Sequence, residues 1–143
     1  MDEVQRVISL SDALARYPGA ESFTFGHSAA MNARILGLVR SGRKTATCEA
    51  RDTFEARGEM PPVPGRVDTA LDGDGKPAVA IRTVSVEQVR CCDVQERHVP
   101  AQGEFRDLAD WRAGYKAELT RAGFFGPKME MLVETFELVE DFL

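Results

Sequence analysis

The chain has 143 residues, 43% of them hydrophobic and 29% charged, which suits one core and is short for two domains. Its net charge of −5 disfavours a long grip on duplex nucleic acid and leaves a small ligand, a single nucleotide or a short single strand. No run approaches the roughly 18 apolar residues of a membrane span, and Met1-Asp2-Glu3 opens without the apolar stretch of a signal peptide.

In chain order, residues 11–17 read as a short helix capped by Ser11 and ended by Pro18-Gly19. Phe23-Thr24-Phe25-Gly26 is a brief extended segment entering a turn. Residues 28–41 form the clearest helix. Ser28 can cap it, Met31, Ile35, Leu38 and Val39 make one apolar stripe, and Arg34 and Arg40 lie off that stripe. Gly42 follows as the stop, free to take a positive φ. Residues 45–50 read as a strand, and the proline- and glycine-rich residues 57–65 as a loop. Residues 66–71 and 78–89 are strands joined by the hairpin signal Asp72-Gly73-Asp74-Gly75.

Residues 93–98 predict a helical turn. Residues 107–122 predict a second helix, capped by Asp107 and closed by Gly123, with Leu108, Trp111, Tyr115 and Leu119 on one face. Phe124-Phe125-Gly126-Pro127 is a loop. Residues 129–142 alternate, with Met131, Val133 and Thr135 on one side and Leu132, Glu134 and Phe136 on the other. Glu137 and Glu140 face solvent on this reading. Hairpin-joined strands with separate helices predict an α+β domain with a mostly antiparallel sheet, which can curl into a barrel to hide its edges.

The first place for chemistry is Gly42-Arg43-Lys44-Thr45-Ala46-Thr47. A helix C-terminus carries partial negative charge, so Arg43 and Lys44 can serve simply as its compensation. Alternatively, a lysine beside two hydroxyls and Glu49 can orient a carbonyl, phosphate or sugar. A desolvated Lys44 would have a lowered pKa and could act as a base toward Thr47. Lys44 and Thr47 converge only if Lys44 lies in the turn, because residues three apart on a strand face opposite ways.

The second place is Glu104, in a glycine-flanked loop before the second helix. It is either a solvated carboxylate or an acid/base group paired with Lys44. The third is aromatic. Phe23, Phe25, Trp111, Tyr115, Phe124 and Phe125 can stack on a base, with Trp111 and Tyr115 better read as core and Phe124-Phe125 as an exposed platform. His27 and His98 make only a weak metal pair, and no zinc, Walker A or G-x-S-x-G spacing occurs, so no metal or cofactor is expected. Cys48, Cys91 and Cys92 have no disulfide-like spacing, which predicts a reducing, cytoplasmic setting. Cys91-Cys92 in an extended segment would point to opposite faces, and all three read as small buried hydrophobes. The acidic end of the last strand, Glu134, Glu137, Glu140 and Asp141, can form a sheet edge whose charges favour a monomer or weak dimer.

F-G-H-S at 25–28, G-R-K-T-A-T at 42–47, V-x-T-A-L-D-G-D-G-K-P at 67–77, A-V-A-I-R-T-V-S-V at 78–86, and Q-G-E followed by L-x-x-W-R at 108–112 together resemble the ASCH domain, a branch of the PUA-like fold. The resemblance covers roughly residues 23–138 of a single domain spanning 1–143, and leaves residues 1–22 as an extension with its short helix. It implies a small β-barrel with flanking helices and a cleft beside the G-x-K loop that takes RNA or a modified nucleoside. Some members are hydrolases. One branch removes the acyl group of N4-acetylcytidine with a lysine, a threonine and a glutamate, roles that fall on Lys44, Thr47 and Glu104; another member is a ribonuclease using the same lysine. The ligand-binding residues expected around them are Phe25, Ser28, Gly42, Arg43, Thr45, Glu49, Arg51, Arg66 and Arg82. Three readings follow: an amidohydrolase or ribonuclease, a non-catalytic module for RNA or a nucleoside-like ligand, and a protein-interaction domain.

Overall fold

The computed structural model describes residues 8–123 and 125–143. Met1-Asp2-Glu3 and Phe124 therefore lie outside the described residues. Helix α1 spans Leu10–Ala15, and its cap is Ser9 rather than Ser11, because the Ser9 hydroxyl accepts from the Asp12 amide. Strand β1 is Ser22–Thr24. Helix α2, Ala29–Arg40, has the expected Ser28 cap, whose hydroxyl accepts from the Met31 amide at 3.1 Å. Strand β2 is Ala46–Ala50. Helix α3, Arg51–Arg57, occupies residues 51–56, to which the sequence assigned no element, and Arg57, which it read as loop: the helix is seven residues long and has no side-chain cap, so it carries little local signal. Strands β3, Val67–Leu71, and β4, Pro77–Arg90, form the hairpin. Short 3-10 turns occupy 91–93, 96–98 and 100–102, and helix α4 spans Leu108–Ala122 from its Asp107 cap. Strand β5 is Glu130–Asp141.

The strands form one sheet in the order β1-β3-β4-β5-β2, mixed because β1 runs parallel to β3, and curled into a half-barrel. The fold is thus α+β with a mostly antiparallel sheet. Register shifts at Ala80/Ile81 and Thr83/Ser85 bend the long β4–β5 ribbon. Strand β5 lies between β4 and β2, but β2 pairs only with residues 131–135, so the acidic end from Glu137 to Asp141 is paired with β4 alone. Glu137 does reach solvent, whereas Glu140 is half-buried and receives the Tyr17 hydroxyl at 2.7 Å and the Arg16 guanidinium.

Helices pack on both faces of β5. Phe25, Ile35, Leu36, Val39, Val79, Ile81 and Phe136 form one apolar cluster, built on α2. Cys48, Val94, Val99, Trp111, Leu119, Met131 and Val133 form the other, built on α4. Each large side chain fully buried here is worth about 1.5–3 kcal/mol of transfer free energy. The cysteines divide: Cys48 and Cys91 are buried, but Cys92 is exposed, because the pair sits in a 3-10 turn rather than an extended segment.

Candidate functional site

The C-terminus of α2 sets the stage. The amide of Gly42, at φ +80°, donates to the Val39 carbonyl, and the Arg43 amide donates to the Leu38 carbonyl at 3.0 Å. This is a Schellman closure, which satisfies the last carbonyls with backbone alone. Lys44 is therefore not needed as a helix cap, and its own amide also reaches Leu38, at 3.1 Å. It lies before β2, outside the regular strand, and its ammonium makes no hydrogen bond to Thr47.

The Lys44 side chain runs inward and is 1% exposed. Its ammonium donates to Glu104 Oε2 at 2.6 Å and to the Gln102 carbonyl at 3.1 Å, and lies 6.0 Å from the centre of the Phe25 ring. Burial pulls its pKa down, against the opposing pull of Glu104. Two loops distant in sequence make this contact. The Thr45 amide donates to the Ala101 carbonyl at 2.8 Å, and a Cβ at Gly103 would stand 2.6 Å from the Arg43 carbonyl oxygen. Gly103 has φ +72°, so only glycine meets both the close approach and the backbone angle without strain. Gln102 is fully buried and clamped at both ends: its side-chain amide donates to the His98 carbonyl at 2.8 Å and accepts from the Trp111 indole at 3.2 Å.

A cleft of about 460 Å³ opens beside this pair, along the inner face of the half-barrel. Thr47 and Glu49 face it from β2, Glu134 from β5, and Arg66 and Asp68 from β3 and its approach. Phe23, Phe25, Met31 and Ile35 form one wall, Gly114, Tyr115 and Glu118 the other. Glu104 lines it too, 13% exposed, so Lys44 meets the cleft through Glu104 and the Phe25 ring. The Thr47 hydroxyl has no hydrogen-bond partner among the described residues. Most cleft cations are already engaged. Arg66 forks onto Asp68 at 2.8 and 2.9 Å, Arg57 pairs with Glu49 at 3.3 Å, and Arg121 with Glu118 at 2.6 Å. Arg34, exposed at the rim, has no carboxylate partner among the described residues.

The expected site residues thus divide. Lys44 and Glu104 are in contact, and Thr47, Phe25, Glu49 and Arg66 line the same cleft. Ser28, Gly42, Arg43, Thr45, Arg51 and Arg82 do not line it. Ser28 is spent on the cap and Gly42 on the helix stop. Arg43, Thr45 and Arg51 are exposed elsewhere, and Arg82 alternates with inward-facing Ile81 and Thr83, so it pairs with Glu137 on the outer surface. Trp111 is core, as expected, while Tyr115 is both core and cleft wall, its hydroxyl donating to the Cys48 carbonyl. Phe125 is exposed and does not line the cleft. The histidines part company. His27 lies at the rim, 3.1 Å from Glu118, and His98 is buried, with Nδ1 accepting from the Gln95 amide and Nε2 against Glu87.

Glu134, Gln102 and Gly103 were not on the expected list. Glu134 is 8% exposed, with Oε2 accepting from the Thr83 hydroxyl at 2.6 Å, and burial raises its pKa against the opposing effect of that hydrogen bond. Its signal was present in the sequence, as the carboxyl flanked by Leu132 and Phe136 on one side of β5.

The description "ASCH domain" fits residues 21–140 of the chain. The chain belongs to the ASCH domain family. Solved structures agree. The protein EF3133 from Enterococcus faecalis V583 is 32% identical, with a TM-score of 0.76 over 92% of this chain and 86% of that one. An ASCH domain from Lactobacillus crispatus JV V101, 24% identical, shares the fold with a TM-score of 0.71 over 92% of this chain and 86% of that one. No curated protein matches the chain. The ASCH match covers every residue that faces the cleft, and no helix among the described residues is long and apolar enough to cross a membrane.

Proposed function

We propose that this ASCH domain binds an uncharged, nucleoside-like ligand in the cleft and hydrolyses an amide on it, as in an N4-acylated cytidine. The observation that carries this reading is the buried Lys44–Glu104 pair beside a cleft-lining threonine. A proton passing from the Lys44 ammonium to Glu104 across 2.6 Å leaves a neutral amine, the form that burial favours. That amine accepts the proton of the Thr47 hydroxyl as its oxygen attacks the acyl carbon. Glu104 returns its proton to the departing exocyclic nitrogen, and water then cleaves the acyl-threonine, releasing the carboxylic acid and restoring Thr47. The sum is amide plus water to acid plus amine.

The charge of the cleft supports an uncharged ligand over a polymer. Phosphate recognition needs cations free to pair with it; Arg57, Arg66 and Arg121 are each held by a carboxylate, which leaves Arg34 at the rim as a single unpaired cation among the described residues lining the cleft. Incubation with N4-acetylcytidine tests the proposal. The wild type is expected to release cytidine, and Lys44→Ala to do so slower by about 10²–10⁴-fold, the usual worth of an acid–base group. Absence of turnover by the wild type would end the hydrolase reading, and failure to bind any nucleoside would end the ligand reading with it.

A further inference from the structure

We propose that Glu134 is the residue that reads the ligand in the cleft: in its protonated form it donates a hydrogen bond from Oε1 to an uncharged acceptor of the ligand, a carbonyl or a ring nitrogen, beside Thr47. This rests on the cleft taking a nucleoside-like ligand.

Three observations support it. First, Glu134 is nine-tenths buried yet lines the cleft, and no cation among the described residues is hydrogen-bonded to it. Carboxylates buried in proteins are ordinarily paired with a cation, because burying an unpaired charge is costly. Here the protein supplies one hydroxyl, Thr83, on Oε2, and leaves Oε1 without a partner among the described residues. Second, the ladder places Thr47 directly opposite Glu134 on the adjacent strand. Opposed residues share a face, with Cβ atoms about 5 Å apart. A ligand whose reacting group lies at the Thr47 hydroxyl therefore has its neighbouring atoms at Glu134. Third, the other carboxyls nearby are committed: Asp68 to Arg66, Glu49 to Arg57, and Glu104 to Lys44. Glu134 is left as the carboxyl whose spare atom a ligand can satisfy.

The protonation state is consistent with this role. Burial raises the Glu134 pKa, aided by nearby Asp68 and opposed by the Thr83 hydrogen bond, Arg66 and Lys44, so its neutral form persists to higher pH than that of an exposed glutamate. A neutral carboxyl both donates and accepts, which matches the mixed donor and acceptor edge of a pyrimidine.

Calorimetric titration of the full chain with cytidine and with N4-acetylcytidine tests the inference. Glu134→Ala is expected to bind about ten-fold more weakly, the loss of one buried hydrogen bond. Glu134→Gln, which keeps donor and acceptor in the same shape, should bind within about three-fold of the wild type, and its affinity should no longer fall as pH is raised. Thr83→Val frees Oε2 without touching the ligand side and serves where Glu134→Ala does not fold; it is expected to weaken binding about three-fold. Wild-type affinity in a folded Glu134→Ala, or in its absence equal loss in Glu134→Gln and Thr83→Val with no change of pH profile, overturns the role of Glu134 and leaves the ligand reading standing. No binding by the wild type overturns both.

Discussion

On one face of β5, Ile35, Leu36 and Val39 from α2 pack against Val79, Ile81 and Phe136 in an apolar cluster. On the other face, Trp111 and Leu119 from α4 pack with Val94, Val99 and Met131, and polar groups thread the packing: Gln102, His98, the Tyr115 hydroxyl and the Trp111 indole are each hydrogen-bonded there. The two clusters employ similar apolar residues to different ends. Apolar contact is non-directional, so the α2 side holds the sheet together with few directional bonds, chiefly those of buried Asn32, whose amide donates to the Phe25 and Leu71 carbonyls at 2.9 and 3.1 Å. Hydrogen bonds have preferred lengths and angles, and on the α4 side they carry position from one residue to the next until the Gln102 carbonyl meets Lys44.

Mutations can break that contrast. The largest expected effect on stability is Leu36→Ala, a buried truncation that should cost about 2–5 kcal/mol in urea denaturation. Leu36 is not a cleft residue, so ligand affinity measured under conditions where the variant is folded should stay near wild type; a matching loss of affinity would show that the α2 cluster positions the site after all. Gly103→Ala comes next. A positive φ and a clash with the Arg43 carbonyl predict a cost of about 1–3 kcal/mol. Here N4-acetylcytidine turnover should fall further than the lost stability explains, since the two loops that hold Lys44 and Glu104 must part. Equal turnover at wild-type level would mean the loop contact is scaffold only.

The smallest effect concerns the outer end of the polar network. The Arg97 guanidinium, with His98, holds the Glu87 carboxyl below its ordinary value, although burial pulls slightly the other way. With the folded pKa depressed, the unfolded chain binds the proton first as pH falls. The contribution is present at neutral pH and is lost on acidification below about pH 4.3, through the folded value. The pair is largely exposed, so the amount is under about 1 kcal/mol. Denaturation midpoints at about pH 6 and about pH 3 should drop slightly more for the wild type than for Glu87→Gln; identical drops would remove Glu87 from the network.

Local chemistry that repeats with a period was legible in the sequence. The stripe Met31, Ile35, Leu38 and Val39 with Ser28 before it and Gly42 after it fixes α2 and its ends, and the hairpin at 72–75 joins β3 to β4 as read. Helix α3 was not legible, because seven residues without a side-chain cap leave no pattern above background. The sheet order was not legible either. Strand β5 reads as one acidic edge, but β2, far before it in the chain, pairs with residues 131–135 and leaves only the end beyond them unpaired on that side. In the site, Lys44 and Thr47 announce themselves by spacing and Glu104 through the family pattern. Arg82 and Arg51 were drawn in by charge alone, which says nothing about the face of an element. Glu134 was hidden by the same error in reverse: it was grouped with Glu137, Glu140 and Asp141 as part of an acidic end, although it stands between Leu132 and Phe136 and is buried.

The Schellman turn after Gly42 has a kinetic consequence. The amides of Arg43, Lys44 and Thr45 are all bonded, the first two to Leu38 and the third across to Ala101. An amide so held exchanges its hydrogen with water only when its bond opens. The Thr45 amide has its partner in the loop that carries Glu104, so its exchange rate is a clock for separation of that loop from the lysine. The bond between residues 45 and 101 thus ties together the two loops that carry Lys44 and Glu104.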